Sequence, residues 1–177
     1  KATQTSRATV IGAGMQSTEI SGATIHVTAS RLPIRNLPIM VIELNDEQIK
    51  SGDYVYEQIE QAMIEWKQYF QGEQEIPFAI HIRGISYCSY AALKEVAKVL
   101  FSLYEKYFPR NPVLVVICEN DIAKALGQLL VLQSKNKVDI ISIDQVVVEQ
   151  GDYIDIGETI NQSMVPVVIK TLAFMKN

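Results

Sequence analysis

The hydrophobic positions of this chain follow two different periods in its middle part. Four short runs are continuously apolar or alternate between apolar and polar residues, which is the pattern of strands in a sheet: residues 39–44, 78–83, 113–118 and 138–143. Three longer stretches repeat apolar residues at spacings of three and four, which predicts amphipathic helices: residues 53–70, residues 89–107 and a segment after residue 118. Strands and helices that alternate in this way predict right-handed crossovers on a parallel sheet.

The two ends of the chain have a β-rich pattern instead. Residues 8–11 and 23–28 are short β-prone runs near the start, and residues 166–174 form an extended apolar segment near the end. The predicted fold class is therefore α/β, with a parallel βαβαβ centre and β-rich N- and C-terminal additions.

Turn and connector signals divide the chain further. Residues 151–152 and 155–158 are typical of turns, and residues 31–38 contain two prolines, which predicts an extended connector. We expect a first unit at residues 1–37 and an α/β lobe at residues 38–177.

Composition and charge exclude several classes of function. The chain has 177 residues, 48% of them hydrophobic, which is enough for a sizeable core. Its formal net charge is −4, so neither a nucleic-acid interface nor a polybasic membrane contact is expected. Cys88 and Cys118 lie far apart in apolar surroundings, which indicates buried thiols in a reducing compartment. Two histidines and two cysteines are too few to predict a zinc site.

The sequence carries no recognisable targeting signal. No run of about 18 apolar residues predicts a transmembrane helix, and residues 1–7 lack the apolar stretch of a signal peptide. We therefore expect a cytoplasmic protein. The chain does not begin with Met, so we expect it to start within a longer protein.

The most informative stretch is the strand-like run at residues 8–11 followed by Gly12-Ala13-Gly14. Glycines let the backbone come close to a ligand, and N–H groups at such a turn can bind an anion or a flat ring. The segment is not a GxGxxG motif, because Ser17 stands where the third glycine belongs, and no Gly-Lys-Ser/Thr follows to make a Walker A motif. As a pattern alone, a tight turn at a sheet edge is the better interpretation.

Longer segments around these glycines resemble one known family. Ala-Thr-Val-Ile-Gly-Ala-Gly at residues 8–14, followed by Thr-Glu-Ile-Ser-Gly-Ala-Thr-Ile at residues 18–25, resembles the ethanolamine ammonia-lyase reactivating factors, the EutA family. The resemblance continues at residues 37–38 and 151–157 and ends at residues 165–174, so it covers nearly the whole chain. The glycine segment and the tail are its most specific parts, and the middle is generic α/β.

The resemblance implies an actin-like ATPase-type protein, of which this chain is the C-terminal part. Members of the family use ATP with Mg²⁺ to release damaged cobalamin from ethanolamine ammonia-lyase so that adenosylcobalamin can rebind, and their systems often work with bacterial microcompartments. By the same resemblance, residues 1–37 are the end of the nucleotide-binding lobe. Gly12 and Gly14 then let the backbone approach the adenine and ribose of ATP or ADP, and Met15 and Gln16 lie at the rim.

The sequence departs from the actin-like pattern in one respect. That superfamily needs two further phosphate-binding turns of the Asp-x-Gly-x-Thr kind, whose Asp residues organise the metal and the attacking water. The nearest match, at residues 155–159, carries Glu158 after the glycine, where a carboxylate would repel a phosphate. We therefore expect a β-turn there and no ATP hydrolysis by this chain alone, so that any ATPase activity belongs to the full-length protein.

A second hypothesis comes from the parallel sheet itself. Open α/β sheets bind ligands at the carboxyl ends of their strands, and three polar groups are expected there: Arg83-Gly84, Cys118-Glu119-Asn120-Asp121 and Asp144-Gln145. They could form the crevice of a small metabolic enzyme, with Arg83 binding an anion. The alternative, which we favour, is a surface ion pair for Arg83 and helix capping by Asn120 and Asp121.

Few other side chains offer chemistry. His81 and His26 lie on predicted strands, His81 as a core or a partly exposed residue, and neither belongs to a cobalamin-binding Asp-x-His-x-x-Gly pattern. Cys88 has no identifiable base partner, so a structural thiol is a better interpretation than a reactive one. The helix at residues 53–70 is rich in aromatic residues, which predicts core packing and leaves a partner interface open. A third hypothesis is therefore a non-catalytic interaction domain, which a stable oligomer would support.

Overall fold

The computed structural model describes residues 15–21, 25–27, 29–70, 75–160 and 164–172, with side chains in residues 30–70, 75–160 and 164–171. The strands in these ranges are β1 (Met15–Ser21), β2 (Ile25–Val27), β3 (Ile34–Glu43), β4 (Ala79–Arg83), β5 (Val113–Cys118), β6 (Asp139–Ile143), β7 (Tyr153–Ile156) and β8 (Pro166–Leu172). The α-helices are α1 (Gly52–Tyr69), α2 (Tyr90–Tyr107) and α3 (Ala123–Ser134), and a 3₁₀ turn lies at Ala29–Arg31.

The strands form one mixed sheet in the order β1-β8-β7-β3-β4-β5-β6-β2. Strands β3 to β6 are parallel, and β2 pairs antiparallel with β6 at one edge; we call these strands the parallel half. On the other side β7, β8 and β1 continue the sheet, each strand antiparallel to its neighbour; we call them, with the start of β3, the antiparallel half. The α/β fold class, with its parallel centre and β-rich ends, is confirmed.

The three helices cover one face of the parallel half. Because each new strand is added on the same side of the last, right-handed crossovers place every helix on the same face. The apolar stripes of the helices pack on alternate strand residues such as Ile42, Ile80 and Val116. The aromatic members of this core contact one another: Trp66, Phe78, Tyr104 and Phe108.

The helices begin at two serine caps and one uncapped end. Ser51 and Ser89 accept hydrogen bonds from the backbone N–H groups three residues further on, at 3.4 and 3.1 Å. The third helix, α3, begins after Ile122 without a side-chain cap. The capping role predicted for Asn120 and Asp121 is therefore wrong.

The opposite face of the parallel half is also apolar and buried, and residues 146–148 contribute to the cluster on it. One apolar cluster joins residues of both halves and of this segment: Ala79, Val115, Ile141, Val146, Val148, Ile154 and Val167. Strands covered on both faces need no polar side, which explains the continuous burial of β5.

One strand, β3, belongs to both halves of the sheet. Leu37 and Pro38 pair with β7, whereas residues 39–43 pair with β4. Asn36, with a φ of 58°, lies at an irregularity in the pairing with β7. Most of the connector predicted at residues 31–38 is therefore strand. The predicted division after residue 37 falls within β3, and the division into two units stays a prediction.

The turn predicted at residues 155–158 is wrong at its start. Asp155 and Ile156 are the last residues of β7. The Asp155 carboxylate accepts a hydrogen bond from the Asn36 backbone N–H at 2.8 Å and lies 2.7 Å from Lys170 Nζ. Lys170 also donates to the Asn36 side chain at 2.9 Å. These contacts join β7, β8 and β3 on one face of the antiparallel half.

Candidate functional site

The residues predicted to contact a nucleotide lie at the start of the antiparallel half. Gly12 and Gly14 are outside the described residues. Met15 and Gln16 begin β1, where they pair with the end of β8. A contact of these four residues with ATP or ADP stays a prediction.

The second predicted set of residues is brought together at one edge of the sheet. We call the carboxyl edge the residues at and after the ends of the four parallel strands: residues 43–51, 83–89, 118–122 and 144–145. It carries six carboxyl groups and two cations: Glu43, Asp46, Glu47, Glu119, Asp121 and Asp144, with Lys50 and Arg83. Six against two leaves a formal net charge of −4, equal to that of the whole chain. The rest of the chain is therefore neutral on balance.

Arg83 does not offer an anion site at this edge. Its Nε lies 3.7 Å from Glu43 Oε1 on the neighbouring strand. Glu43, Asp46 and Glu47 line an open cavity of about 640 Å³ beside it. An anion entering this cavity would meet three carboxylates. The surface ion pair of Arg83 is confirmed, and the anion-binding crevice of a metabolic enzyme is not supported.

The loop at residues 84–89 is held by side chains from two neighbouring loops. Asp46 accepts hydrogen bonds from the backbone N–H groups of Ser86 (2.9 Å) and Tyr87 (3.4 Å), and the Ser86 hydroxyl donates to the same carboxylate. The bond from the Ser86 hydroxyl is the main cause that lowers the pKa of Asp46, so this carboxylate is charged at neutral pH. On the other side, Asn120 Nδ2 donates to a carbonyl oxygen of the loop at 2.6 Å.

Gly84 begins this loop in a conformation that suits glycine. Its φ is +86°, and a Cβ atom at this position would lie 2.0 Å from the carbonyl oxygen of Leu44. The absence of a side chain lets the ends of β3 and β4 stay close, and the Leu44 N–H donates to the Arg83 carbonyl at 2.9 Å.

Asp144 is a fully buried carboxyl group at the end of β6. Neither of its oxygens makes a hydrogen bond of ordinary geometry. Burial, and then the neighbouring Asp121, raises the pKa of Asp144 to about 6, although the backbone N–H groups of Ala123 and of Asp144 itself favour the charged form. At neutral pH the carboxyl edge therefore contains a buried negative charge with a second carboxylate beside it.

Asp144→Asn is expected to stabilise the protein at pH 7.5 and to have little effect below pH 4. The folded pKa of about 6 lies above the ordinary aspartate value of 3.8, so the native state binds the extra proton between these values and loses stability as pH rises. The amide carries no such charge, so the gain in unfolding free energy should grow between pH 4 and 6.5 and then level off. Urea unfolding at a series of pH values measures it.

A gain that is independent of pH would contradict the raised pKa of Asp144. Asp121→Asn is the matched control, because it leaves the buried carboxyl in place and removes the charge beside it. We expect it to change stability in the same direction by a smaller amount.

His81 lies in the core of the sheet. Its imidazole is fully buried, and its Nε2 lies 3.8 Å from Glu119 Oε2. Burial, and then Arg83, lowers the pKa of His81 to about 4, while the backbone of Val148 acts in the opposite direction. The ring is therefore neutral at pH 7, and its contact with Glu119 is not an ion pair. Of the two alternatives for this histidine, the core position is confirmed.

The two cysteines lack the surroundings of a nucleophile. Burial raises the pKa of Cys118, and it raises that of the half-buried Cys88, where Asp46 adds to the effect. A thiolate is disfavoured at both positions, which supports the interpretation as structural thiols.

Within the described residues, no three His, Cys, Asp or Glu side chains come together as metal ligands. In the same ranges, no helix is long and apolar enough to cross a membrane.

The aromatic residues of α1 divide between core and surface. The Trp66 ring packs on Phe78 with centroids 5.0 Å apart, and the Tyr54 hydroxyl accepts a hydrogen bond from the Asn45 backbone N–H at 3.2 Å. Tyr69, in contrast, is 83% exposed. Core packing thus explains part of this aromatic content, as predicted.

Sequence patterns do not identify Asp46 as the anchor of the loop at residues 84–89. The two partners are 40 residues apart, and no local periodicity joins them. One available signal is positional: Asp46 is the third residue after the strand β3, where the polar groups of an open α/β sheet collect.

Comparison with known proteins identifies the family. The sequence profile described as Ethanolamine utilisation protein EutA matches residues 1–175. Two relatives named ethanolamine ammonia-lyase reactivase EutA, from Salmonella typhimurium and Escherichia coli, are each 37% identical to this chain, over 172 and 175 residues. Each match covers 97% of this chain and 34% of the relative, so the chain spans about a third of their length. No solved structure gives a significant match. The chain belongs to the ethanolamine utilisation protein EutA family.

Proposed function

We propose that this chain is part of an ATP-dependent reactivating protein for ethanolamine ammonia-lyase. The full-length protein would use ATP with Mg²⁺ to release damaged cobalamin from the ammonia-lyase, so that adenosylcobalamin can rebind. The observation that carries this proposal is the 37% identity, over 97% of the chain, to two relatives named ethanolamine ammonia-lyase reactivase. Because the chain spans about a third of those relatives, the activity is proposed for the longer protein.

The metal and phosphates of the nucleotide do not fit the described residues. The nearest match to a phosphate-binding turn begins at Asp155, whose carboxylate is engaged by Lys170 and Asn36 within the sheet. The contribution proposed for this chain is therefore to the adenosine end of the nucleotide, through the backbone at Gly12 and Gly14. The residues that bind phosphate and Mg²⁺ would lie elsewhere in the longer protein, which would supply the ATPase chemistry.

A continuous ladder of strands supports a conformational role for this chain. Met15 and Gln16 pair with β8, β8 pairs with β7, and β7 pairs with the start of β3. The far end of β3 then leads into the carboxyl edge. A displacement at the predicted nucleotide side would thus be transmitted to the carboxyl edge through backbone hydrogen bonds. We place this activity in the cytoplasm, in association with a bacterial microcompartment and with ethanolamine ammonia-lyase as the partner.

Reactivation of an inactivated ammonia-lyase tests the proposed function. Ethanolamine ammonia-lyase blocked with cyanocobalamin is mixed with the full-length protein, Mg²⁺-ATP and free adenosylcobalamin. Deamination of ethanolamine should recover only when ATP and the full-length protein are both present. Recovery without ATP, or none at all, would overturn the proposal.

Substitutions in the glycine segment test the part assigned to this chain. Gly12→Val and Gly14→Val should each weaken ATP binding by the full-length protein about tenfold or more, because a side chain would hold the backbone away from the adenosine. Gly52→Ala is the control, since a Cβ there has Glu95 Oε1 as its nearest contact at 3.8 Å. The isolated chain is expected to hydrolyse no ATP above background.

A further inference from the structure

Two tyrosines, one in the carboxyl edge and one directly next to it, are exposed to an unusual degree. Tyr87 is 84% exposed and Tyr90 is 64% exposed, and they lie in the loop after β4 and at the first residue of α2. Tyrosine side chains bury a large area at little conformational cost, and they are common among the residues that dominate binding at protein interfaces. Core packing does not account for these two side chains, so a contact outside the chain is the function to consider.

The backbone that carries these tyrosines is already ordered. Asp46 accepts bonds from Ser86 and Tyr87, Asn120 binds a carbonyl oxygen of the same loop, and Ser89 caps the helix that follows. Because this loop is ordered before a partner binds, less of the binding free energy is lost to ordering the loop on association. The loop thus presents two aromatic rings from a fixed position.

The surroundings of the tyrosines are acidic. Asp46, which holds the loop, lines the open cavity of about 640 Å³ together with Glu43 and Glu47. The whole edge has a formal net charge of −4, although Lys50 and Arg83 are included in it. At the far end of the edge, the buried Asp144 adds a carboxyl group whose oxygens make no hydrogen bond of ordinary geometry. The cations within this edge therefore leave several carboxylates without compensation.

Arginine is the residue type that fits both features. Its planar guanidinium stacks on an aromatic face and also binds carboxylates in a two-pronged geometry. Nucleic acid and anionic membranes are repelled by an edge of this charge. We infer that the carboxyl edge is a docking surface for an arginine-rich segment of a partner protein. In this arrangement Tyr87 and Tyr90 stack on guanidinium groups, and Glu43 and Glu47 pair with them at the mouth of the cavity.

Peptide binding by the full-length protein tests this surface without assuming any partner. The probes are fluorescein-labelled octa-arginine and octa-lysine, measured by fluorescence anisotropy at low ionic strength. The double variant Tyr87→Ala/Tyr90→Ala should bind octa-arginine about tenfold more weakly, because two exposed cation–π contacts are lost. It should change octa-lysine binding less, since the ammonium group stacks less well on a ring. Glu43→Gln/Glu47→Gln should weaken both peptides, and added salt should do the same.

Tyr69→Ala is the matched control for the tyrosine variants. Tyr69 is 83% exposed, as Tyr87 is, but it ends α1, whereas the carboxyl edge lies at the start of that helix. The helix has 18 residues and is about 27 Å long, so Tyr69 and the carboxyl edge lie at its opposite ends. Equal losses for Tyr69→Ala and the double variant would overturn the inference, and so would unchanged octa-arginine binding by the double variant. Unchanged urea unfolding midpoints show that the variants remain folded.

A parallel assay separates this inference from the proposed function. The same variants are tested for reactivation of cyanocobalamin-blocked ethanolamine ammonia-lyase. Loss of both peptide binding and reactivation supports the docking surface and assigns it to the ammonia-lyase. Loss of peptide binding with full reactivation supports the surface and assigns it to another partner. If the wild-type protein does not reactivate the ammonia-lyase, the proposed function fails. Octa-arginine binding alone then determines whether the docking surface exists.

Discussion

Replacing Phe78 with alanine is expected to lower the free energy of unfolding by about 3–5 kcal/mol. Phe78 is 2% exposed, and its ring lies 4.8 Å from Phe108 and 5.0 Å from Trp66, centroid to centroid. The Phe78 ring thus fills the space between the start of β4, α1 and Phe108, the residue that caps the C-terminus of α2. Alanine would leave a cavity that three ordered elements cannot close, so both the transfer free energy and the ring contacts are lost. Urea unfolding at pH 7 measures this loss.

Tyr69→Ala is the control for this prediction. The Tyr69 ring also contacts an aromatic neighbour, with its centroid 5.1 Å from that of Phe70, but its side chain is mostly in solvent. We expect a change of about 0.5 kcal/mol or less. A loss below about 1 kcal/mol for Phe78→Ala would show that the core repacks around the missing ring.

Gly84→Ala is expected to destabilise the protein by about 3 kcal/mol or more. The new Cβ would lie 2.0 Å from the Leu44 carbonyl oxygen, a backbone atom that cannot rotate away, and the φ of +86° is strained for alanine. The ends of β3 and β4 would have to separate. Unfolding free energy gives the size of the effect, and hydrogen exchange of the Leu44 amide, which bonds to Arg83, shows where it acts.

Gly52→Ala provides the matched comparison. Gly52 is the first residue of α1, and a Cβ there has Glu95 Oε1 as its nearest contact at 3.8 Å. Alanine reduces the conformational freedom of the unfolded chain and has a higher helix propensity than glycine. We therefore expect the folded protein to be stabilised by up to about 1 kcal/mol. Equal effects at the two glycines would mean that the close approach at Gly84 relaxes freely.

The parallel half of the sheet could be predicted from the sequence because burial there follows local periods. All six residues of β5 are buried, and the sequence shows them as an unbroken apolar run, residues 113–118. In α1 the buried residues recur every three or four positions, which predicts its bounds to within a residue. Each of these segments carries its own pattern, whatever its partners are.

The antiparallel half could not be predicted in the same way because its pairings join distant segments. Asp155-Ile156-Gly157-Glu158 has the local composition of a turn, yet Asp155 lies in a strand where Lys170 and the Asn36 N–H hold its carboxylate. The two prolines of residues 31–38 suggest a connector, but Pro38 pairs with β7. Tertiary contacts override local preference at both places.

The candidate site shows the same limit. The rule for open α/β sheets leads to Arg83, Asn120 and Asp144 as residues of one edge, and the structure agrees. Their roles differ from those that local sequence suggests, because Asn120 binds the loop at residues 84–89 and does not cap α3. Its neighbour in space is 35 residues away, so only the fold shows this contact.

The pairing of β1 with β8 also has a consequence during protein synthesis. β1 ends at Ser21 and β8 begins at Pro166, so β1 emerges long before its partner. At about 5–20 residues per second the ribosome needs roughly 7–30 s to make the intervening chain. Contacts this distant in sequence form slowly, whereas the crossovers of the parallel half need only neighbouring segments. We therefore expect β3 to β6 and their helices to fold while the chain is still being made, and β1 to stay unpaired, exposed to chaperones and to aggregation, until β8 arrives.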